Sequence, residues 1–200
     1  MKEITIFGDL NSGNCQKIKW TAEFLDICYK WVDVDITKGE SRTPEFLKLN
    51  PMGQVPVVRL ADGRMLAQSN AIIQYLTEGS PLYPPDAYAR SRINALMFWE
   101  QYSHEPYLAV CRYQMVYLGK LQEEREPWRV QRGEAALDFM ESLLKQQTWF
   151  LDPDITIADI CLLPYTRLCE EGGFSLAKCH EIKEWISRTE AYLGIERIPV

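Results

Sequence analysis

Histidine is almost absent from this 200-residue chain: there are two, His104 and His180. The six cysteines, Cys15, Cys28, Cys111, Cys161, Cys169 and Cys179, never fall in a C-x-x-C pair. Tetrahedral zinc sites draw on clustered Cys and His, so no structural metal is expected. Scattered cysteines of this kind read as small core hydrophobes in a reducing compartment. No apolar run exceeds a few residues, against the ~20 needed to cross a bilayer. The first seven residues read as a strand rather than a signal peptide. No membrane partner is expected, and the expected location is cytoplasmic. Lys and Arg number 22 against 28 Asp and Glu, and no basic run occurs. The resulting net charge of −6 repels phosphate backbones, so nucleic acid is not an expected partner. What is present is ordinary globular composition, 46% hydrophobic and 25% charged. The length suits one large domain or two small ones that fold without staples.

The first eighty residues alternate strand and helix signals. Ile4 and Ile6 share one face of a short strand, and Ile18, Ala22 and Leu25 recur at helical spacing. Val32, Val34 and Ile36 alternate with Asp33 and Asp35, which predicts a half-buried strand. Thr43-Pro44 reads as an N-cap and first helical position, opening a short helix through Leu47. Strands at 57–60 and 65–67 are joined by an Asp62-Gly63 turn, and Ser69 caps a helix carrying Ala71, Ile72, Tyr75 and Leu76. The order β-α-β-α-β-β-α predicts an α/β domain, a mixed four-stranded sheet with helices on its faces. Gly79, Pro81, Pro84 and Pro85 then break the pattern as a linker would. Beyond it the chain reads all-α. Leu108, Cys111, Met115 and Leu118 fall at helical spacing, as do Ala136, Met140 and Leu143. Pro106 is expected to kink or divide the first long helix, and Pro164 to bend a later one. Thr156 and Asp159 form a capping box, and a last helix is expected over 181–188.

Three segments could carry chemistry. Asn11-Ser12-Gly13-Asn14-Cys15 follows the first strand and opens the first helix, where unpaired backbone N–H groups favour an anion. A hydroxyl or thiol there can stabilise an anion; equally, Ser12 or Asn14 can be a plain cap. Val55-Pro56 precedes a strand, with trans as the default X-Pro geometry. Gln68-Ser69 reads first as a strand end and a helix cap.

Taken with Asn50-Pro51-Met52-Gly53-Gln54-Val55-Pro56, Gln68-Ser69-Asn70-Ala71-Ile72, Thr156-Ile157-Ala158-Asp159 and the stretch from Trp99 to Tyr107, these segments resemble the cytosolic glutathione S-transferases. The resemblance spans nearly the whole chain and is closest to bacterial serine-type members of theta- or nu-like character. It implies a thioredoxin-like glutathione-binding domain over 1–79, a linker over 80–88, and an all-helical domain over 89–200 carrying the electrophile pocket. It implies a transferase in which glutathione is co-substrate and no metal takes part, conjugating the thiolate to a small hydrophobic electrophile. Ser12 would be the activating hydroxyl, with Asn14 supporting its loop. A cis Pro56 would present the Val55 backbone to the cysteinyl part of glutathione beside Gln54. Gln68 and Ser69 would hold the γ-glutamyl end, and Lys38 the glycine carboxylate. Leu10, Tyr107 and Tyr113 are candidate pocket walls. A homodimer is implied, each N-terminal domain packing on the partner's helical domain.

Two residues depart from the pattern. Gln68 stands where many relatives carry Glu, so it offers no charge to the ligand's ammonium group. Cys15 occupies the second position of the redox relatives' motif, whose nucleophile position is here Ser12; it reads as a structural cysteine. One residue of loop register would exchange Ser12 for Asn11. His104 beside Glu105 lacks a catalytic partner in sequence and reads as structural. Trp99 and Phe98 read as core or dimer contacts, the acidic stretch 123–126 as a solvated turn, and Asp159 as a capping residue. Two alternative functions share the fold: a glutathione-dependent disulfide reductase or peroxidase, and a non-catalytic binding protein.

Overall fold

The alternating apolar residues near the N-terminus form a strand. In a computed structural model, which describes residues 3–198, β1 spans Ile4–Gly8, β2 Tyr29–Asp33, β3 Val57–Arg59 and β4 Met65–Ala67. They build one mixed sheet in the order β2-β1-β3-β4, with β1 and β2 parallel and the other pairs antiparallel. α1 (Gly13–Phe24) is the crossover that the parallel pair requires. The chain divides into two compact units, Met1–Glu78 and Gly79–Val200.

In the first unit, side-chain alternation sends neighbours to opposite faces of the sheet. One face packs on α2 (Pro44–Leu49): Phe46 meets Val34 and Val57, with Phe7, Leu49, Val55 and Met65 around them. Ile4, Ile6 and Val58 alternate onto the other face and are fully buried, as are Ile18 of α1 and Ile72 and Ile73 of α3 (Ser69–Leu76). α2 opens as expected, Thr43 accepting from the Phe46 N–H at 3.3 Å, and runs two residues past Leu47.

Two local expectations are corrected. The second strand lies at Tyr29–Asp33 rather than 32–36. Its register is set by β1, with Ile4 opposite Tyr29 and Gly8 opposite Asp33, so pairing ends where β1 ends. Ser69 is the first residue of α3, and Gln68 holds the cap position.

The second unit is helical: α4 (Ala87–Trp99), α5 (Glu105–Arg112), α6 (Pro127–Leu144), α7 (Ile157–Arg167) and α8 (His180–Leu193). A π-helical segment at Glu100–His104 separates α4 from α5, and a second, Tyr113–Tyr117, ends α5. Pro106 sits in the first turn of α5, where its missing N–H costs no helical bond. The Pro-rich stretch joins this unit: Leu82 is buried, and its carbonyl accepts from Ile157 at 3.0 Å. Every residue of α7 is buried, Pro164 included. The capping box forms there: Thr156 accepts from Ala158, and Asp159 accepts from the Thr156 N–H at 2.9 Å. α8 extends well beyond 181–188 because its buried face carries polar residues that apolar periodicity overlooks. Thr189 donates to the Trp185 carbonyl, and Glu190 lies 3.2 Å from Arg167.

Candidate functional site

A turn held by Asp9 sets the start of α1. Its carboxylate accepts from the Asn11 N–H at 2.8 Å, and its carbonyl accepts from Ser12 at 3.0 Å. Nothing in the sequence pattern singled out Asp9, although an Asx turn after a strand is a recognisable local device. Ser12 is the N-cap residue and is buried, while Asn11 is exposed, so the register places Ser12 inward. Its carbonyl accepts from Cys15 and Gln16 N–H, both at 3.0 Å, but its hydroxyl makes no helix-capping bond. That hydroxyl instead interacts with the Cys15 thiol.

Cys15 is fully buried against the end of β1, where a Cβ on Gly8 would stand 2.9 Å from its sulfur. Burial pushes its thiol up to about 12, only partly offset by the Ser12 and Asp9 hydrogen bonds. Burial thus favours the neutral thiol, packed against the end of β1. Cys28 is exposed and the other five cysteines are buried. Thiol titration of the native protein should therefore show one fast group, absent from a Cys28→Ser variant, and five more only after unfolding.

The first turn of α3 lies beside that of α1. The Ser69 hydroxyl donates to Asn14 Oδ1 at 3.0 Å, bridging the two helix starts. Gln68 adopts φ 71°, ψ 112°, a conformation rare for a residue with a Cβ. Strain of this kind costs roughly 1–3 kcal/mol and persists where the surroundings enforce it. Its amide nitrogen lies 3.5 Å from Gln54 Oε1 and 3.6 Å from Met52 Sδ.

The 50–56 loop is braced from within and from α2's approach. Asn50 donates to the Gln54 carbonyl at 2.8 Å and accepts from the Met52 N–H at 3.2 Å. Arg42 donates to the Met52 carbonyl at 3.0 Å. Gly53 has φ 63°, and a Cβ there would stand 2.6 Å from the Arg42 guanidinium, so the position demands glycine. The Val55-Pro56 bond is cis. Among the described residues none hydrogen-bonds the Val55 backbone.

The first unit thus brings Ser12, Asn14 and Ser69 to two adjoining helix starts, and sets Gln54 beside Gln68. The remaining candidates stand differently. Lys38 is mostly exposed, 2.8 Å from Asp35, whose carboxyl it holds well below the usual range together with Thr37. Leu10 is half exposed on the loop after β1. Tyr107 and Tyr113 belong to the helical unit. Tyr107 is buried, accepting from Arg132 at 3.0 Å with its ring edge-on to Trp128; Tyr113 is partly exposed and stacked on Tyr117. His104 is a core histidine: its Nε2 lies 2.9 Å from Thr166 Oγ1, which itself donates to the Leu162 carbonyl. Among the described residues no cluster of His, Cys, Asp or Glu is arranged to hold a metal, and no helix is long and apolar enough to cross a membrane.

Comparison with known proteins agrees with this architecture. Residues 11–78 match the family model of the glutathione S-transferase N-terminal domain, and residues 99–192 that of the C-terminal domain. A glutathione S-transferase of Arabidopsis thaliana is 31% identical over 178 residues, covering 82% of this chain and 81% of its own. A solved glutathione S-transferase from Xanthobacter autotrophicus is 41% identical, covering 98% of this chain and 97% of its own, with a TM-score of 0.91. One from Pseudomonas fluorescens is 40% identical, covering 94% of both chains, with a TM-score of 0.90. With this sheet, this helical unit and these matches along its length, the chain belongs to the glutathione S-transferase family.

Proposed function

We propose that the protein conjugates glutathione to a small hydrophobic electrophile, with residues 1–79 binding glutathione and residues 89–200 supplying the electrophile pocket. The observation that carries this reading is the Ser69–Asn14 bridge between two helix starts. Each start presents backbone N–H groups and partial positive charge. Glutathione carries two anions suited to such a pair, its thiolate and its γ-glutamyl carboxylate.

In this reading Ser12 turns its hydroxyl from Cys15 to the glutathione sulfur and donates to the thiolate, while Asn14 keeps the loop in place. The Val55 backbone pairs with the cysteinyl residue, beside Gln54 and Pro56. Ser69 and the first turn of α3 receive the γ-glutamyl carboxylate, with Gln68 at the same end. Lys38 reaches the glycine carboxylate by exchanging its Asp35 contact. The thiolate attacks the electrophilic carbon, forming the C–S bond, and the leaving group departs with the electron pair. Leu10 and Tyr113 are the exposed apolar candidates for holding the electrophile, and Tyr107 is a buried support. A homodimer accompanies this reading, and exposed Tyr88 and Phe98 on α4 and Tyr102 in the π-helical segment after it are the surface it would cover.

Gln68 lacks the charge that a carboxylate would offer the ligand's ammonium. Gln68→Glu should tighten glutathione binding several-fold at low ionic strength, read by calorimetry, with the gain shrinking in high salt. An unchanged Kd would remove Gln68 from the γ-glutamyl site. The reaction itself is tested by assaying a chlorinated aromatic and a small disulfide side by side with reduced glutathione. Turnover of the aromatic supports conjugation; turnover of the disulfide alone replaces it with glutathione-dependent reduction.

A further inference from the structure

One residue on the inner side of α1 carries a charge. Lys17 has 0% exposure and lies among the buried Gly13, Cys15, Ile18 and Thr21. A lysine stem ordinarily carries its ammonium out to water. Withdrawing the charge is costly unless polar groups replace the solvent. Here Nζ donates to Asn70 Oδ1 at 3.3 Å. Asn70 follows Ser69 in the first turn of α3, and Lys17 lies three residues after Asn14, on the same side of α1. Two cross-links therefore run side by side between these helices, Asn14 to Ser69 and Lys17 to Asn70. Both act on the first turn of α3, the end of that helix that presents unpaired N–H groups. An apolar residue at position 17 would fill the space but could not tie down the α3 turn.

We propose that Lys17 is a positioning residue for glutathione: its link to Asn70 fixes the first turn of α3 against α1, and so sets the separation between the γ-glutamyl carboxylate site and Ser12. This rests on the glutathione reading above. Lys17 touches no substrate and acts through Asn70. Affinity for the tripeptide, which must reach both ends at once, depends on the link. Ionisation of the bound thiol, set at Ser12, does not.

The test uses the full chain as wild type, Lys17→Met, Asn70→Ala and the double variant. Reduced glutathione is titrated by calorimetry, and the bound thiol is followed across pH by thiolate absorbance. Each single variant is expected to weaken Kd about tenfold. The thiol midpoint should stay at the wild-type value, and the double variant should bind no more weakly than either single. A general loss of folding would instead lower thermal stability without separating affinity from the midpoint. Wild-type Kd in Lys17→Met overturns the proposal. So does a midpoint that rises with Kd, because Lys17 would then act as a charge on the sulfur. Should Lys17→Met fail to fold, Asn70→Ala decides, since it keeps the ammonium: weaker binding with an unmoved midpoint supports the link, and wild-type Kd overturns it. If the wild type itself binds no glutathione, the glutathione reading falls and this one with it. If it binds and the variants bind equally well, only the role of Lys17 is lost.

Discussion

Replacing Ser12 by Ala should lower kcat/KM for glutathione conjugation at neutral pH by roughly 10–100-fold. A hydrogen bond to a charged acceptor contributes about 1.5–3 kcal/mol, and each 1.36 kcal/mol is tenfold in rate. A free thiol with pKa near 8.5 is only a few per cent ionised at pH 7, so the wild-type advantage lies in the thiolate fraction. The sign follows directly. Removing the donor disfavours the anion, so the midpoint of the bound thiol rises and less thiolate is present at fixed pH. Well above both midpoints the thiol is ionised in each protein, and the difference in rate should narrow. The acid limb of the pH–rate profile is therefore expected to move up by about one to two units, while the alkaline plateau changes less. Ser12→Thr, which keeps a hydroxyl, should recover part of the loss. The substitution also takes away one partner of the Cys15 thiol, but that thiol is uncharged and keeps its contact with the Asp9 backbone, so the secondary cost is small. A neutral-pH rate equal to wild type would remove Ser12 from the chemistry.

Asp159→Ala should be the most destabilising change in the helical unit. The carboxylate is fully buried and accepts from the Phe150 N–H at 3.2 Å, the Thr156 N–H at 2.9 Å and the Trp185 indole N–H at 3.0 Å. Burial pushes its pKa up, and these same donors oppose that rise. Truncation leaves several buried donors without an acceptor, at about 1–3 kcal/mol each, so a total loss near 3–5 kcal/mol is expected. At this chain length that corresponds to a fall in Tm of roughly 10 °C. Asp159→Asn, which keeps one carbonyl oxygen and the shape, should fall in between. The residues assigned to glutathione are all in Met1–Glu78, so the protein that remains folded should bind glutathione with unchanged Kd. Calorimetric unfolding and a glutathione titration on the same sample check both halves. A Tm within a degree or two of wild type would show that the donors find other partners.

The same residue marks what could be read from the chain and what could not. Thr156 and Asp159 are three residues apart and announce a helix start through local chemistry alone. That Asp159 also holds Phe150 and Trp185 depends on the stretch before α7 folding back and on α8 packing against α7, which no spacing encodes. Thr43-Pro44 and the Asp62-Gly63 turn were legible for the same local reason. The second strand lies elsewhere than its alternation predicts because its limits come from β1, its parallel partner, while the alternation runs on past Asp33. The glutathione motifs are linear, so Ser12, Val55, Pro56, Gln68 and Ser69 could be named from resemblance. The physical supports of those motifs could not. Lys17 on a helix reads as a solvated charge until α3 supplies Asn70. The positive φ of Gln68 has no signature in a residue other than glycine. Arg42 bracing the Met52 carbonyl, and the turn built on Asp9, appear only once the backbone is folded.

In the proposed function α1 and α3 together present a glutathione site in which Ser12 favours the thiolate. The most direct measurement is the ultraviolet absorbance of the thiolate in glutathione bound to the wild-type protein, followed from mildly acid to alkaline pH. The expected midpoint lies at least about one unit below that of free glutathione, with the shift lost in Ser12→Ala. A bound thiol that titrates like the free tripeptide, or a shift that survives without the Ser12 hydroxyl, would contradict it.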